Sequence, residues 1–227
     1  MPETAIVQSE MKIVHGGENS SAPIIYAIDA PEFPFSIEPA CEGIKATVVR
    51  VPVSSWDENL TPWTAESPFR ERPDYAGKAD GTAAELLDCC HAFELAQGLA
   101  PAQRGLAGYS LGGLFALHAF LHEPFWDACA SLSGSLWYPG WAEAMEHLAL
   151  AREVDFSGRS CYLSVGNREA KAPQPQLRHV VEGLAMTGLA LEVHRCTVRC
   201  EIGPGAHTQH ELERWQKGLE ALDGFLA

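Results

Sequence analysis

Six short apolar runs recur along this chain, and helical patterns fill most of the spaces between them. The runs are 22–29 (APIIYAID), 44–53 (IKATVVRVPV), 104–109 (RGLAGY), 127–134 (DACASLSG), 160–165 (SCYLSV) and 189–198 (LALEVHRCTV). Each is rich in small and β-branched residues and is bounded by Gly, Pro, Ser or Asp, as buried strands are. Residues 80–98 put Leu86, Leu87, Cys90 and Phe93 on one stripe, and Gly98 and Pro101 stop that helix. Residues 111–122 read as a buried helix ended before Pro124; 173–188 and 208–226 supply two more. Strands alternating with helices predict an α/β fold: a mostly parallel central sheet, helices on both faces, right-handed crossovers. No composition shift marks a linker. The 227 residues therefore read as one domain with a substantial core, residues 1–20 being a peripheral or edge segment.

The junction at Ser110 is the sharpest local signal. Gly108-Tyr109-Ser110-Leu111-Gly112 stands between a short apolar run and an apolar helix, the context of a nucleophile elbow. Strand and helix cross closely there, so positions 108 and 112 must lack bulk. The helix N-terminus favours negative charge beside the serine oxygen. This makes the Leu111 N–H one expected oxyanion donor, with a second from backbone near Trp56 in the 54–60 loop. The plain alternative is a tight strand-to-helix turn with a buried serine.

Serine needs a base. His207 follows Gly203-Pro204-Gly205 and precedes the closing helix, where a loop can bring an imidazole over Ser110; His210, inside the first helical turn, is expected to point elsewhere. The third group is read as Glu169, the nearest carboxylate past the 160–165 run, which would fix the imidazole tautomer. Asp127 and Asp155 precede their strands and fall at the wrong end of the sheet. Another carboxylate, such as Glu201, or a Ser–His dyad without an acid, stays open. The 54–79 stretch lacks periodicity and reads as a functional loop, with Trp56, Asp57 and Trp63 at the cleft entrance; Trp63 serves equally well as a loop anchor. Arg70 and Arg72 are the clustered bases near that cleft, and a solvated pair is their plainer reading.

Composition narrows the partners. A formal charge of −14 repels phosphate backbones and anionic lipid, so nucleic acid and membrane partners are not expected. The N-terminal stretch has no basic-then-apolar leader pattern, and no apolar run is long enough to span a bilayer. Seven cysteines without a CxxC pair read as reduced thiols in a cytoplasm. Cys196 and Cys200 could share a strand face, and His118 and His122 have helical metal-pair spacing, but neither pair has the further ligands that a zinc site requires. No metal or cofactor is expected. The partner is a small-molecule ester, and a homo-oligomer stays open.

With these residues in place, the chain resembles the serine esterases of the α/β-hydrolase superfamily that include the ferric-siderophore (enterobactin-type) esterases and their bacterial relatives. The likeness runs from about residue 22 to the end. It rests on APIIYAID, WDENLTPW (56–63), LAGYSLGGLFALHAF, SLSGSLWYPGW (131–141), SVGNREAK and GPGAHTQH. It implies a serine and histidine at Ser110 and His207. It also places Ser135-Leu136-Trp137 beside the active site and makes Trp137 a candidate pocket wall, for which core packing is the plainer reading; Asp57, from the 54–79 loop, and Tyr109, beside Ser110, are read as the other substrate-binding residues. The chain is short for an added N-terminal domain or lid, and its acidity fits highly anionic ferric catecholates poorly. The expectation is carboxylic ester hydrolysis through an acyl-enzyme. Acyl transfer, thioester or peptide hydrolysis at the same site, and a non-catalytic binding protein of the same fold, are the alternatives.

Overall fold

The computed structural model describes residues 4–30 and 35–227; residues 1–3, part of the stretch read for a leader, lie outside it. In chain order the elements are β1 (Lys12–His15), β2 (Ile24–Asp29), β3 (Thr47–Pro52), α1 (Trp56–Asn59), β4 (Thr64–Ala65), β5 (Tyr75–Ala76), α2 (Ala79–Gln97) and β6 (Arg104–Tyr109). They continue as α3 (Leu111–His122), β7 (Ala128–Leu132), α4 (Trp141–Leu150), β8 (Ser160–Gly166), α5 (Val180–Val193), β9 (Thr197–Gly203) and α6 (Glu211–Phe225). Among the described residues seven strands form one sheet in the order β1-β3-β2-β6-β7-β8-β9, and β4 and β5 pair apart from it. Every neighbouring pair in the large sheet is parallel except β1–β3.

Alternation along the strands divides the core in two. Ile24, Tyr26, Ile28, Leu106 and Cys129 pack on the side of α2, α3, α4 and α5. Ile25, Ala27, Ala107, Ala130 and Tyr162 pack on the side of α6 and a 3₁₀ turn at Glu38–Cys41. The period of two along parallel strands buried on both faces is why these runs are continuously apolar. Parallel strands end on the same side, so the loops after β2, β6, β7, β8 and β9 gather at one edge.

The run at 189–198 is not a strand. α5 continues through Gly188 to Val193, and β9 starts at Thr197. Val180, Leu184, Thr187 and Leu191 keep helical spacing on one buried face. Gly188 is no stop: its missing side chain lets α5 lie close on β9, where a Cβ would come within 3.2 Å of Cys200 Sγ. β9 is a largely exposed edge strand, so no apolar run announces it. Cys196 is buried before β9 and Cys200 is exposed on it, so the two do not form a shared face. The 54–79 loop holds α1 and the β4–β5 pair, and α4, which no run suggested, buries Trp141 and Met145.

Candidate active site

Ser110 sits where β6 turns into α3, with φ 57° and ψ −122°, a conformation a side chain rarely adopts. Its strain is held from three sides. Its N–H donates to Leu132 O at 3.0 Å; its carbonyl accepts from Gly113 N and from Ser135 N, each at 3.0 Å. The turn has no room for bulk. A Cβ on Gly108 would lie 2.1 Å from Gly112 O, and one on Gly113 2.9 Å from Ser131 Oγ. Leu111 opens α3, so its N–H has no acceptor within the helix and stands at the cavity wall.

His207 rides the loop between β9 and α6. Its Nε2 is 3.0 Å from Ser110 Oγ and its Nδ1 is 2.9 Å from Glu169 Oε2. With Glu169 ionised, Nδ1–H donates to the carboxylate and Nε2 is free to accept the serine proton. Glu169 opens a 3₁₀ turn just past β8. Burial opposes its ionisation. The imidazole of His207, the Gly166 N–H at 2.7 Å and the Ser133 hydroxyl at 2.8 Å outweigh it and hold the carboxyl below the ordinary glutamate value. Ser133 reaches the acid from the end of β7 through a left-handed backbone, φ 44°.

The other carboxylates are occupied elsewhere. Asp127 accepts from Arg104 N, Asp155 pairs with Arg195, and Glu201 bonds Tyr162 and Lys217. His210 turns to Glu213 at 2.7 Å. His118 Nε2–H donates to Asp80 at 2.7 Å, and burial pushes its imidazole below the usual value. Among the described residues no group of three or more His, Cys, Asp or Glu is placed to hold a metal, and no helix is long and apolar enough to cross a membrane.

A cavity of about 600 Å³ opens over Ser110. Trp56, Trp137, Phe69, Tyr109 and Leu111 are among its apolar walls, and Arg72, Arg168 and Lys171 stand at it as cations. Three expectations change here. Trp56 follows β3, but β2 is the strand beside β6, with Ile28 level with Gly108. It is therefore the Trp56 indole, not its backbone, that meets the elbow, 3.4 Å from where a Gly112 Cβ would stand. The backbone next to the elbow on that side is Ala30, which lines the cavity. Asp57 is not at the wall; it lies 3.6 Å from Arg72, which is. Trp63 is a loop anchor: its indole donates to Pro139 O at 2.7 Å and stacks on Trp141. Arg70 is exposed outside the cavity, and Tyr109 lines it while its hydroxyl donates to His207 O. Sequence reasoning missed Ser133 and Arg214, both buried against Glu169, and the cations Arg168 and Lys171. Only Arg168 and Lys171, flanking Glu169 in chain, could have been found from position alone.

No model of a known protein family matches the chain. Over 130 residues it is 32% identical to the uncharacterised protein YbbA of Bacillus subtilis, a match that takes in 55% of this chain and 50% of that protein's length. The chain thus spans about half of that relative. Two solved structures superpose over most of it. The siderophore hydrolase EstA of Aspergillus nidulans does so with a TM-score of 0.65 at 20% identity, over 91% of this chain and 84% of its own. An IroE-like serine hydrolase of Shewanella oneidensis does so with a TM-score of 0.70 at 18% identity, over 94% and 74%. The chain shares the α/β-hydrolase fold of these two proteins. Identities this low carry the architecture, and the chemistry has to be argued from the side chains.

Proposed function

We propose that this chain is a serine hydrolase that cleaves carboxylic esters through an acyl-enzyme, with Ser110 as nucleophile, His207 as base and Glu169 as the acid that orients it. The observation that carries this is the continuous line Ser110 Oγ–His207 Nε2, His207 Nδ1–Glu169 Oε2, at 3.0 and 2.9 Å, on a strained glycine-flanked turn. Ser110 Oγ attacks the ester carbonyl as its proton passes to Nε2. The developing oxyanion is met by Leu111 N–H and by backbone where β2 ends beside the elbow at Ala30. His207 then gives the proton to the departing alcohol, and water repeats the sequence on the acyl-enzyme. The apolar walls fit the body of a small ester, Trp137 and Trp56 flanking it.

Hydrolysis of p-nitrophenyl acetate and butyrate tests the reading. Ser110→Ala is expected to lower kcat by several orders of magnitude and to abolish fluorophosphonate labelling. Equal rates for the purified wild type and Ser110→Ala would overturn it.

A further inference from the structure

We propose that Arg214 is a positioning residue of this site, its buried guanidinium clamping the Glu169 carboxylate and the His207 loop to each other. The inference rests on the reading of Ser110, His207 and Glu169 as a catalytic line. Arg214 lies in the first turn of α6, with its side chain 6% exposed. A guanidinium stays charged, so burying one demands partners on every side. It has them. Nη1 lies 3.2 Å from Glu169 Oε1, 2.6 Å from Ser133 Oγ, 2.8 Å from Tyr109 Oη and 3.2 Å from His207 O. Nη2 donates to Pro204 O at 2.9 Å and Ala206 O at 3.2 Å.

The partners fall into two groups. One is the acid and the hydroxyl that supports it. The other is three carbonyls of residues 204–207, the segment that carries the imidazole. Tyr109, immediately before Ser110, closes the figure by donating to His207 O. One planar fork therefore joins nucleophile turn, acid and base loop. The fit is tight: a Cβ on Gly166 would fall 2.3 Å from Arg214 Nη2. A lysine carries the same charge on one nitrogen and cannot span carboxylate and three carbonyls.

The groups around His207 are Glu169 after β8, Glu211 and Arg214 on α6, and Tyr109 and Ser110 at the end of β6, with Arg168 and Lys171 at the same cavity wall. Arg214 is the buried cation among them, and removing it leaves the Glu169 carboxylate beside His207 without a buried balancing charge.

The test compares Arg214→Met, Arg214→Lys and Glu169→Gln/Arg214→Met in the full chain, reading kcat, KM and the pH dependence of kcat on p-nitrophenyl acetate, with the rate of fluorophosphonate labelling of Ser110 as a substrate-independent measure. Arg214→Met is expected to lose about 100-fold in kcat and in labelling rate with KM little changed, and to move the acid limb of kcat to higher pH. Arg214→Lys is expected to restore the limb but only part of kcat. The double variant is expected to lose no more than the worse of its single variants. A folded Arg214→Met with wild-type kcat and limb would overturn the proposal. Where Arg214→Met folds, fully additive losses in the double variant would overturn it too; should it not fold, wild-type kcat in Arg214→Lys would. Wild-type protein whose Ser110 neither labels nor turns over ester is a different result: it removes the catalytic reading itself.

Discussion

At the residue scale the site depends on a carboxylate kept ionised out of water. Glu169 is 6% exposed, yet its carboxyl sits below the ordinary value because His207, the Gly166 N–H and the Ser133 hydroxyl outweigh its burial. Glu169→Gln preserves shape but loses the charge that stabilises the imidazolium and leaves Arg214 short of its anion. Steady-state kinetics are expected to show kcat lower by about two to four orders of magnitude, whereas a rate near wild type would mean that Ser110 and His207 work as a dyad. The same shift links stability to pH. A carboxyl whose folded value lies below its unfolded one stabilises fully above the unfolded value, near 4.5, and loses that contribution as pH falls through the folded value. Thermal melts of the wild type between pH 6 and 3 are expected to show Tm falling below about pH 4.5, with the slope reduced in Glu169→Gln.

Elements transmit constraints to the site through close backbone approaches. α5 crosses the Ser135–Trp137 segment at Gly183, where a Cβ would stand 1.9 Å from Leu136 O. That segment in turn bonds the elbow through Ser135 N and Ser110 O. Gly183→Ala, a change that favours helix locally, is thus expected to destabilise by roughly 1–3 kcal/mol, a Tm loss of about 3–10 °C, and to lower kcat although residue 183 is remote from the chemistry. Calorimetry and ester kinetics on the same preparation check both. α3 is apolar all round and buried, so its axis is fixed and the elbow cannot relax by tilting it.

For the whole molecule, burial and charge make separate statements. Six of the seven cysteines are buried and Cys200 alone is exposed, on the edge strand β9. Ellman's reagent is therefore expected to find one rapidly reacting thiol in the native protein and seven in denaturant; two or more fast native thiols would contradict the packing described. The chain carries −14, while at the cavity Arg72, Arg168 and Lys171 stand against Asp29, Glu169 and Glu211, so formal charges there are balanced.

The sequence by itself determined what rests on local periodicity and local sterics. Short β-branched runs, the helix over Ala79–Gln97 and the Gly-x-Ser-x-Gly bend are local patterns, and so the α/β architecture and Ser110 could be read from them. His207 and Glu169 could be named because each stands just past the end of a parallel strand. The edge strand β9 escaped because a strand exposed on its outer side needs no apolar run, and α5 absorbed the apolar residues before it. Strand order was decided by tertiary structure alone: β2, not β3, lies against β6, which gives Trp56 an indole contact in place of a backbone one. Arg214 was equally invisible, since an arginine in a helix is ordinarily solvated. Only the folding of three distant loops around it turns its charge inward, because a buried cation is tolerable only where an anion and several carbonyls converge.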